Sequence, residues 1–222
     1  MPSRRPRAIA DAGEPTTRGS LYHILYTLTV CAVGMSMPFV FGSEISAAAW
    51  LTIVPTFLLA NIIEYGVHRW LMHRHIKHME FVLKLHMVHH NYFDEAEYYL
   101  RTIQDYKMVV FPPVVLNMLT LLITLPLAYV AFLVAGKNVA LLFIATVMLY
   151  YLLIQILHVF AHTAKNHWIH RVPGIDYLSI HHNIHHDHDE MTRCNYNFVI
   201  PLSDWLLGTS NIQPRSRFTG AK

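Results

Sequence analysis

The chain has 222 residues, of which 54% are hydrophobic and only 14% are charged. This balance argues against an ordinary soluble domain and indicates an integral membrane protein. The formal charge of +3 is too small to indicate a nucleic-acid partner. The two cysteines, Cys31 in an apolar run and Cys194 in a polar stretch, do not have the pattern of a disulfide framework or a cysteine metal site.

The first twenty residues differ in composition from the rest of the chain. Segment 1–20 is polar and contains four arginines and three prolines. Because such a segment has little apolar surface to bury, we predict a disordered basic tail. A cleavable signal is not expected, since the apolar run that follows is too long and lacks a small-residue cleavage pattern. We predict that the remainder, 21–222, is a single membrane domain.

Four apolar runs follow the tail, at about 21–42, 45–67, 108–134 and 138–163. Each has the roughly 20 residues that a helix needs to cross about 30 Å of hydrocarbon. Short turns connect the first run to the second and the third to the fourth, so each pair is predicted to form a hairpin. The predicted fold is therefore all-α, with four transmembrane helices in two hairpins and a helical cap.

The distribution of positive charge predicts the orientation in the membrane. Of the seventeen Lys and Arg residues, four precede the first run, six lie within 68–107, and six follow residue 163. Only Lys137 lies on the other face. By the positive-inside rule, both termini and the stretches 68–107 and 164–222 are predicted to be cytoplasmic. We expect amphipathic helix on the headgroups in the first stretch and a short helical cap in the second.

Ten of the seventeen histidines form four clusters at the predicted cytoplasmic ends of these runs. Imidazole is a good ligand for iron, zinc, copper and nickel, and residues three or four apart share one face of a helix. Ten ligands are too many for one ion, so the pattern predicts a two-metal centre. His68 and His73 are five residues apart, so their side chains converge only if the helix that carries them ends or distorts there. The clusters are His68 and His73; His86, His89 and His90; His158 and His162; and His182, His185 and His186.

The histidine motifs and two flanking stretches resemble those of a known family. The motif E-Y-G-V-H-R-W-L-M-H at 64–73 and the stretch N-Y-N-F-V-I-P-L-S-D-W-L-L-G-T at 195–209 are similar to segments of the fatty acid hydroxylase and sterol desaturase superfamily. The four histidine motifs also occur in that family's order, and the resemblance covers about 60–210. It implies an integral-membrane oxygenase with two iron ions. One metal would take His68, His73, His86, His90 and His185, and the other His89, His158, His162, His182 and His186.

The resemblance implies hydroxylation of a C–H bond in a long-chain lipid, fatty acyl or sterol-like, with dioxygen and two electrons. Such chemistry needs a redox-active metal, which excludes zinc and favours iron. A lipid desaturase and a carotenoid ring hydroxylase, which carry similar histidine motifs, remain alternatives for the same site. Outside the enzymes, a membrane metal transporter and a bis-histidine haem protein are the alternatives.

Electrons are expected to come from a partner, because the sequence has no G-x-G-x-x-G nucleotide fingerprint. We predict a ferredoxin or a cytochrome b5-type donor with its reductase, docking on a basic cytoplasmic surface. Candidate docking residues are Arg74, Lys77, Lys84 and Arg101, although the positive-inside bias also accounts for them.

Three polar residues are candidates for holding ligand rings in place. Glu64 lies one turn before His68 and Gln155 three residues before His158, so either side chain could accept the free N–H of an imidazole. The alternatives are an ion pair of Glu64 with Arg69 and an interhelical hydrogen bond of Gln155.

The third candidate, Asn195, resembles a polar family position near the site, with a turn role as the alternative. The acidic run of Asp94, Glu95 and Glu97 is expected to be a solvated face.

Overall fold

The computed structural model describes residues 3–94 and 96–213. Within these ranges the protein is all-helical without strands, and four segments are long and apolar enough to cross a membrane. The all-α membrane fold with four spans is thus confirmed. Glu95 and residues 214–222 of the predicted cap lie outside the described residues. Spans 1 to 4 are Thr17–Phe41, Ala47–Met72, Ile103–Ala135 and Lys137–Ala161.

Eleven α-helices lie within the described residues, and four short π or 3₁₀ segments connect or extend them. The α-helices are α1 Arg5–Ala12, α2 Thr17–Phe41, α3 Ala47–Trp50, α4 Ile53–Gly66, α5 Glu80–Tyr92, α6 Tyr106–Val109, α7 Pro113–Leu119, α8 Leu125–Ala135, α9 Lys137–Ala161, α10 Ile175–His185 and α11 Leu202–Leu206. The π-helices are Val67–Met72 and Thr120–Thr124, and the 3₁₀-helices are Ile103–Asp105 and Trp168–Arg171.

Span 4 is the centre of the bundle. Its helix α9 packs against α2, α4 and α8, and beyond the spans against α10. At Gly34 of span 1, an added Cβ would lie only 2.4 Å from the Cγ of Met148, so glycine permits the close approach of spans 1 and 4. The outward surfaces of the spans carry exposed residues such as Phe39 and Val134, as expected for helices surrounded by lipid.

The prediction that 1–20 is a disordered tail is wrong from residue 5 onward, since Arg5–Ala12 form helix α1 and 17–20 begin helix α2. Helix α1 packs against α5, and Ala8 is fully buried in an apolar cluster with Tyr92. The Arg5 guanidinium donates to the Asp105 carboxylate at 2.7 Å, to Glu97 at 3.2 Å, and to the Tyr92 hydroxyl. The ion pairs and this burial offset the entropy cost of ordering the helix.

Asp94, the first residue of the acidic run after the second histidine cluster, is also not solvated, which corrects the expectation for this residue. Asp94 is only 4% exposed, and its carboxylate accepts the backbone N–H groups of Ala96 and Glu97 at 2.9 and 3.0 Å. It also accepts the backbone N–H of Arg4. The turn that follows α5 is therefore closed by a buried carboxylate, and α1 is bonded to that turn.

Replacing Arg5 with Ala should destabilise the protein, because Asp105 is only 2% exposed and would lose its cationic partner. We expect a loss of about 1–3 kcal/mol, measured as a lower thermal unfolding midpoint in detergent micelles. Arg7→Ala is the matched control, since the Arg7 side chain is exposed on the same helix. Equal midpoints for Arg5→Ala and Arg7→Ala would contradict a stabilising role of α1.

Candidate metal centre

All ten clustered histidines are buried at one end of the bundle, which we call the histidine end; each is at most 8% exposed. They form two groups, in each of which the five nitrogens that could bind a metal lie within 4.8 Å of one another. This division is the same as the one that the family resemblance implied. The first group is His68, His73, His86, His90 and His185, and the second is His89, His158, His162, His182 and His186.

Helices α5 and α10 each contribute histidines to both groups. On α5, His86 and His90 are four residues apart and share a face directed at the first group, whereas His89 is directed at the second. Helix α10 has the reverse arrangement: His182 and the adjoining His186 belong to the second group and His185 to the first. Each histidine triplet therefore ties the two groups together.

A π-helix brings His68 and His73 into one group. Span 2 changes from α-helix to π-helix over Val67–Met72, and His73 follows its last residue. The π-helix pairs residue i with residue i+5, so side chains five positions apart come onto the same face. The distortion that the five-residue spacing required is thus present in the described structure.

The distances between ring nitrogens fit metal coordination. For a metal–nitrogen bond of about 2.1 Å, ligands at right angles lie about 3.0 Å apart, and tetrahedral ligands about 3.4 Å. In the first group, the Nε2 of His86 lies 3.0 Å from those of His68, His73 and His90. In the second, the Nε2 of His182 lies 3.1 Å from that of His162 and 3.0 Å from that of His186. In each group the spacing is short enough for the nitrogens to share one metal ion.

Backbone carbonyls hold five of the ten rings. An Nδ1–H that donates to a carbonyl fixes the tautomer in which Nε2 is free to bind a metal. These pairs link both histidine groups to the irregular segments around them. They are His68 with Tyr196 at 2.5 Å, His89 with Met108 at 2.8 Å, His162 with Tyr98 at 2.9 Å, His185 with Cys194 at 2.8 Å and His186 with Phe93 at 2.5 Å.

Burial keeps these imidazoles in the neutral form. Desolvation lowers the pKa of His73 to about 2 and the pKa of His89 to about 4. It also lowers the pKa of His86 and His90 well below the ordinary value. The neutral ring is the form that binds metal, so the protein matrix disfavours the competing proton. The donor set, spacing and tautomers thus all fit two metal ions.

Glu64 holds the C-terminal segment and not a ligand ring, which corrects the prediction that it accepts an imidazole N–H. Its carboxylate accepts hydrogen bonds from the Tyr150 hydroxyl at 2.5 Å, the Asn197 side chain at 2.8 Å and the Phe198 backbone at 2.7 Å. The alternative ion pair with Arg69 is also not formed; that guanidinium donates to the Tyr65 hydroxyl.

Gln155 and Asn195 make the contacts that were considered as alternatives. The Gln155 carbonyl oxygen accepts the backbone N–H of Phe111 at 3.0 Å, which connects spans 3 and 4. Asn195 has a left-handed φ of +64°. Its side chain donates to the carbonyls of His181 and Asn211 at 2.8 and 2.7 Å, so it shapes a turn beside the histidines.

Phe198 is a site residue that the sequence did not single out. Its ring stacks on His68 with centroids 5.0 Å apart and an interplanar angle of 8°. It also lies 4.6 Å from the His158 ring and 4.9 Å from the His182 ring. One aromatic ring therefore covers both histidine groups. A phenylalanine within an apolar stretch carries no signal of this role in a single sequence.

An apolar cavity begins at His68 and Phe198 and continues between spans 2, 3 and 4. Its deep end is lined by Thr56, Leu127 and Phe143. Because an α-helix rises 1.5 Å per residue, Thr56 lies about 18 Å below His68 along span 2. The cavity thus leads from the interior of the bundle to the two histidine groups.

The fold and site define a helical membrane protein with a histidine-rich site that could hold two metal ions. A family model described as fatty acid hydroxylase matches residues 53–209, a range that contains all ten clustered histidines. The chain belongs to this family, and thus to the fatty acid hydroxylase and sterol desaturase superfamily. Membership implies an oxidoreductase that acts on membrane lipids in a family that uses iron. No curated protein and no solved structure matches the chain.

Replacing His86 with Ala should lower the affinity for one of two metal ions at least about tenfold, because His86 contacts three other rings of its group. We would titrate metal-free protein anaerobically with Fe²⁺ and count tightly bound ions by elemental analysis. His75→Ala is the control, since that side chain is 74% exposed. Equal stoichiometry and affinity for His86→Ala and His75→Ala would contradict the assignment of His86 as a ligand.

Proposed function

We propose that the protein is a membrane-bound di-iron oxygenase that hydroxylates a C–H bond of a long-chain lipid, with dioxygen and two electrons from a partner. The observation that carries this proposal is the apolar cavity that ends at His68 and Phe198. A hydrocarbon chain in this cavity would have one end against the two histidine groups.

The ten clustered histidines are the proposed ligands, five for each ion. When bound, iron supplies the redox chemistry that activates dioxygen toward an unreactive C–H bond, which redox-inert zinc cannot do. The histidine rings are held by backbone carbonyls and by burial, so the protein preorganises the ligands before a metal binds.

The cavity lining supports a hydrocarbon as the bound group. Its walls are formed mainly by Leu, Ile, Val, Met and Phe side chains. The carboxylate of Glu64, which also lines the cavity, is occupied by three hydrogen-bond donors. Such a surface excludes water from the reacting carbon and suits a hydrocarbon chain better than a polar headgroup.

The orientation of the cavity also supports a proposal for which part of the lipid's hydrocarbon chain is oxidised. Its upper end includes Met79, Phe81 and Val82 near the start of α5, and its lower end lies at the depth of Leu127. A lipid with its methyl end downward keeps its polar end near the headgroups, whereas the reverse orientation would bury that end without partners. We therefore infer oxidation nearer the polar end of the chain than the methyl end.

The placement of the ligands argues against a metal transporter. Transport sites lie near the bilayer midplane, often at broken helices. In this protein the histidines of span 4, His158 and His162, lie at or just beyond the end of the helix. Ten buried ligands also exceed what a site that must release its ion requires.

We further propose that the histidine end and both termini are cytoplasmic, as the positive-inside rule predicts. The electron donor would be a ferredoxin or a cytochrome b5-type protein that docks there. Three of the predicted docking cations, Arg74, Lys77 and Lys84, are exposed in the described structure. Arg101 is also exposed, but it forms an ion pair with Glu97 at 3.6 Å, so it contributes less free charge.

The function is tested by reconstituting the iron-loaded protein in lipid bilayers with a donor, its reductase and dioxygen. We expect a lipid product that has gained one oxygen atom, with the hydroxyl nearer the polar end. A product that has lost two hydrogens would identify a desaturase, and oxidation of a carotenoid ring would identify a carotenoid ring hydroxylase. Metal uptake into vesicles without lipid oxidation would refute the enzyme proposal.

Leu127→Trp should shorten the range of accepted chains, because the indole would fill the deep end of the cavity far from the histidines. We expect turnover of the longest accepted chains to fall at least about tenfold relative to chains four carbons shorter. Leu125→Trp is the matched control: Leu125 is on the same helix and 44% exposed, outside the lining. If both variants changed the chain-length profile equally, the cavity would not be the binding site.

A further inference from the structure

The C-terminal segment 196–209 follows span 2 downward from the histidine groups. At the level of His68, the ring donates to the carbonyl of Tyr196 at 2.5 Å. One turn lower, Glu64 accepts the backbone N–H of Phe198 at 2.7 Å. Lower still, the Asn61 amide donates to the carbonyl of Ile200 at 2.7 Å.

The same segment then returns toward the histidine end. The Ser203 backbone and hydroxyl both donate to the Asn61 side chain, at 3.2 and 2.8 Å. The Thr209 hydroxyl lies 3.3 Å from that of Tyr65, one turn above Asn61. From His68 to Asn61 the helix rises about 10 Å, which gives the depth of this descent.

Asn61 lies inside the hydrocarbon region for any placement in which span 2 crosses the whole core. The 26 residues of Ala47–Met72 rise about 39 Å, and the hydrocarbon core is about 30 Å thick. If the core begins at Ala47, its boundary on the histidine side lies about 9 Å beyond Asn61. If that boundary lies at Met72, it is about 16 Å beyond Asn61. The turn of the segment, which is bonded to Asn61, shares this depth.

The surface of the segment is chemically suited to lipid. Its outward residues are apolar: Ile200 is 43% exposed, Leu206 76% and Leu207 58%. Asp204 is the only acidic or basic residue in 196–209, and it is fully buried. The surface of a soluble protein rarely has several exposed, large apolar side chains in one short segment.

Several polar backbone groups of the segment have internal partners, which a non-helical segment needs within a membrane. The Asp204 carboxylate accepts the N–H groups of Tyr196 and Asn197 at 3.0 and 2.8 Å, and the Thr209 hydroxyl at 2.7 Å. The short helix α11 and the contacts to Asn61 satisfy others.

We propose that residues 196–209 form a re-entrant loop that enters the leaflet on the histidine side. Ile200, Leu206 and Leu207 contact lipid acyl chains there, and the Trp205 indole, which donates to the Tyr177 hydroxyl at 3.2 Å, lies nearer the headgroups. This replaces the expectation that all of 164–222 is cytoplasmic. The contacts to span 2 hold whatever reaction the histidine groups support.

The test is a set of nitroxide labels on single introduced cysteines in full-length protein reconstituted in lipid nanodiscs. We compare Leu206→Cys with Leu58→Cys, which is 44% exposed on span 2 one turn from Asn61, and with Lys165→Cys, exposed on the cap. The native Cys31 and Cys194 are buried, and unmodified protein gives their background. Collision with oxygen reports lipid contact, and collision with a nickel chelate reports water.

A label at position 206 should match the one at 58, with high oxygen and low nickel accessibility. Nickel accessibility like that at position 165 would overturn the proposal, and so would low accessibility to both, which indicates a protein contact such as a second copy. Should Leu206→Cys not fold, Leu207→Cys replaces it.

Quenching of tryptophan fluorescence by lipids brominated on the upper acyl chain gives a second readout. It should be weaker in Trp205→Phe than in unmodified protein, and equal quenching would overturn the loop's placement.

Discussion

Burial of ten imidazoles at one end of a membrane bundle is the constraint on which the rest of the structure depends. Each ring carries two polar nitrogens, and a buried polar atom without a partner costs about 1–3 kcal/mol. Backbone carbonyls satisfy the outer nitrogen of five rings, including His68 and His185. The inner nitrogens converge on one another at about 3 Å in both groups, where neutral rings have too few protons to pair. Metal ions bound between the rings would resolve this conflict, and their binding would then be coupled to folding of the histidine end.

The carbonyls that hold the rings belong largely to irregular backbone, and buried carboxylates hold that backbone in turn. Asp94 closes the turn after Phe93, whose carbonyl binds His186. Asp204 anchors Tyr196, whose carbonyl binds His68. These buried carboxylates thus support the histidine rings indirectly, through the main chain. Their burial is explained by this role, since a carboxylate that accepts several N–H groups is stable without a cation.

The spans and the clustered histidines were predictable because length, apolar composition and spacing encode them locally. The ring supports were not predictable, since a backbone carbonyl leaves no residue-type signal. Helix α1 was missed because Arg5 binds Glu97 and Asp105, which lie 92 and 100 residues further along the chain. Glu64 was recognised as important, but its partner Phe198 is 134 residues away and lies in a stretch that composition alone assigns to no membrane span.

The re-entrant loop and the cavity lie against the same helix, and Glu64 connects them. Its carboxylate lines the cavity and binds the backbone of Phe198, so the depth of the loop sets the height of the Phe198 ring. That ring touches His68 of one histidine group and His158 of the other. A loop that remained at the membrane surface would withdraw the ring and open the cavity toward water. Embedding the loop in the leaflet therefore closes the site where an apolar chain meets the histidines, and a lipid can reach them without leaving the bilayer.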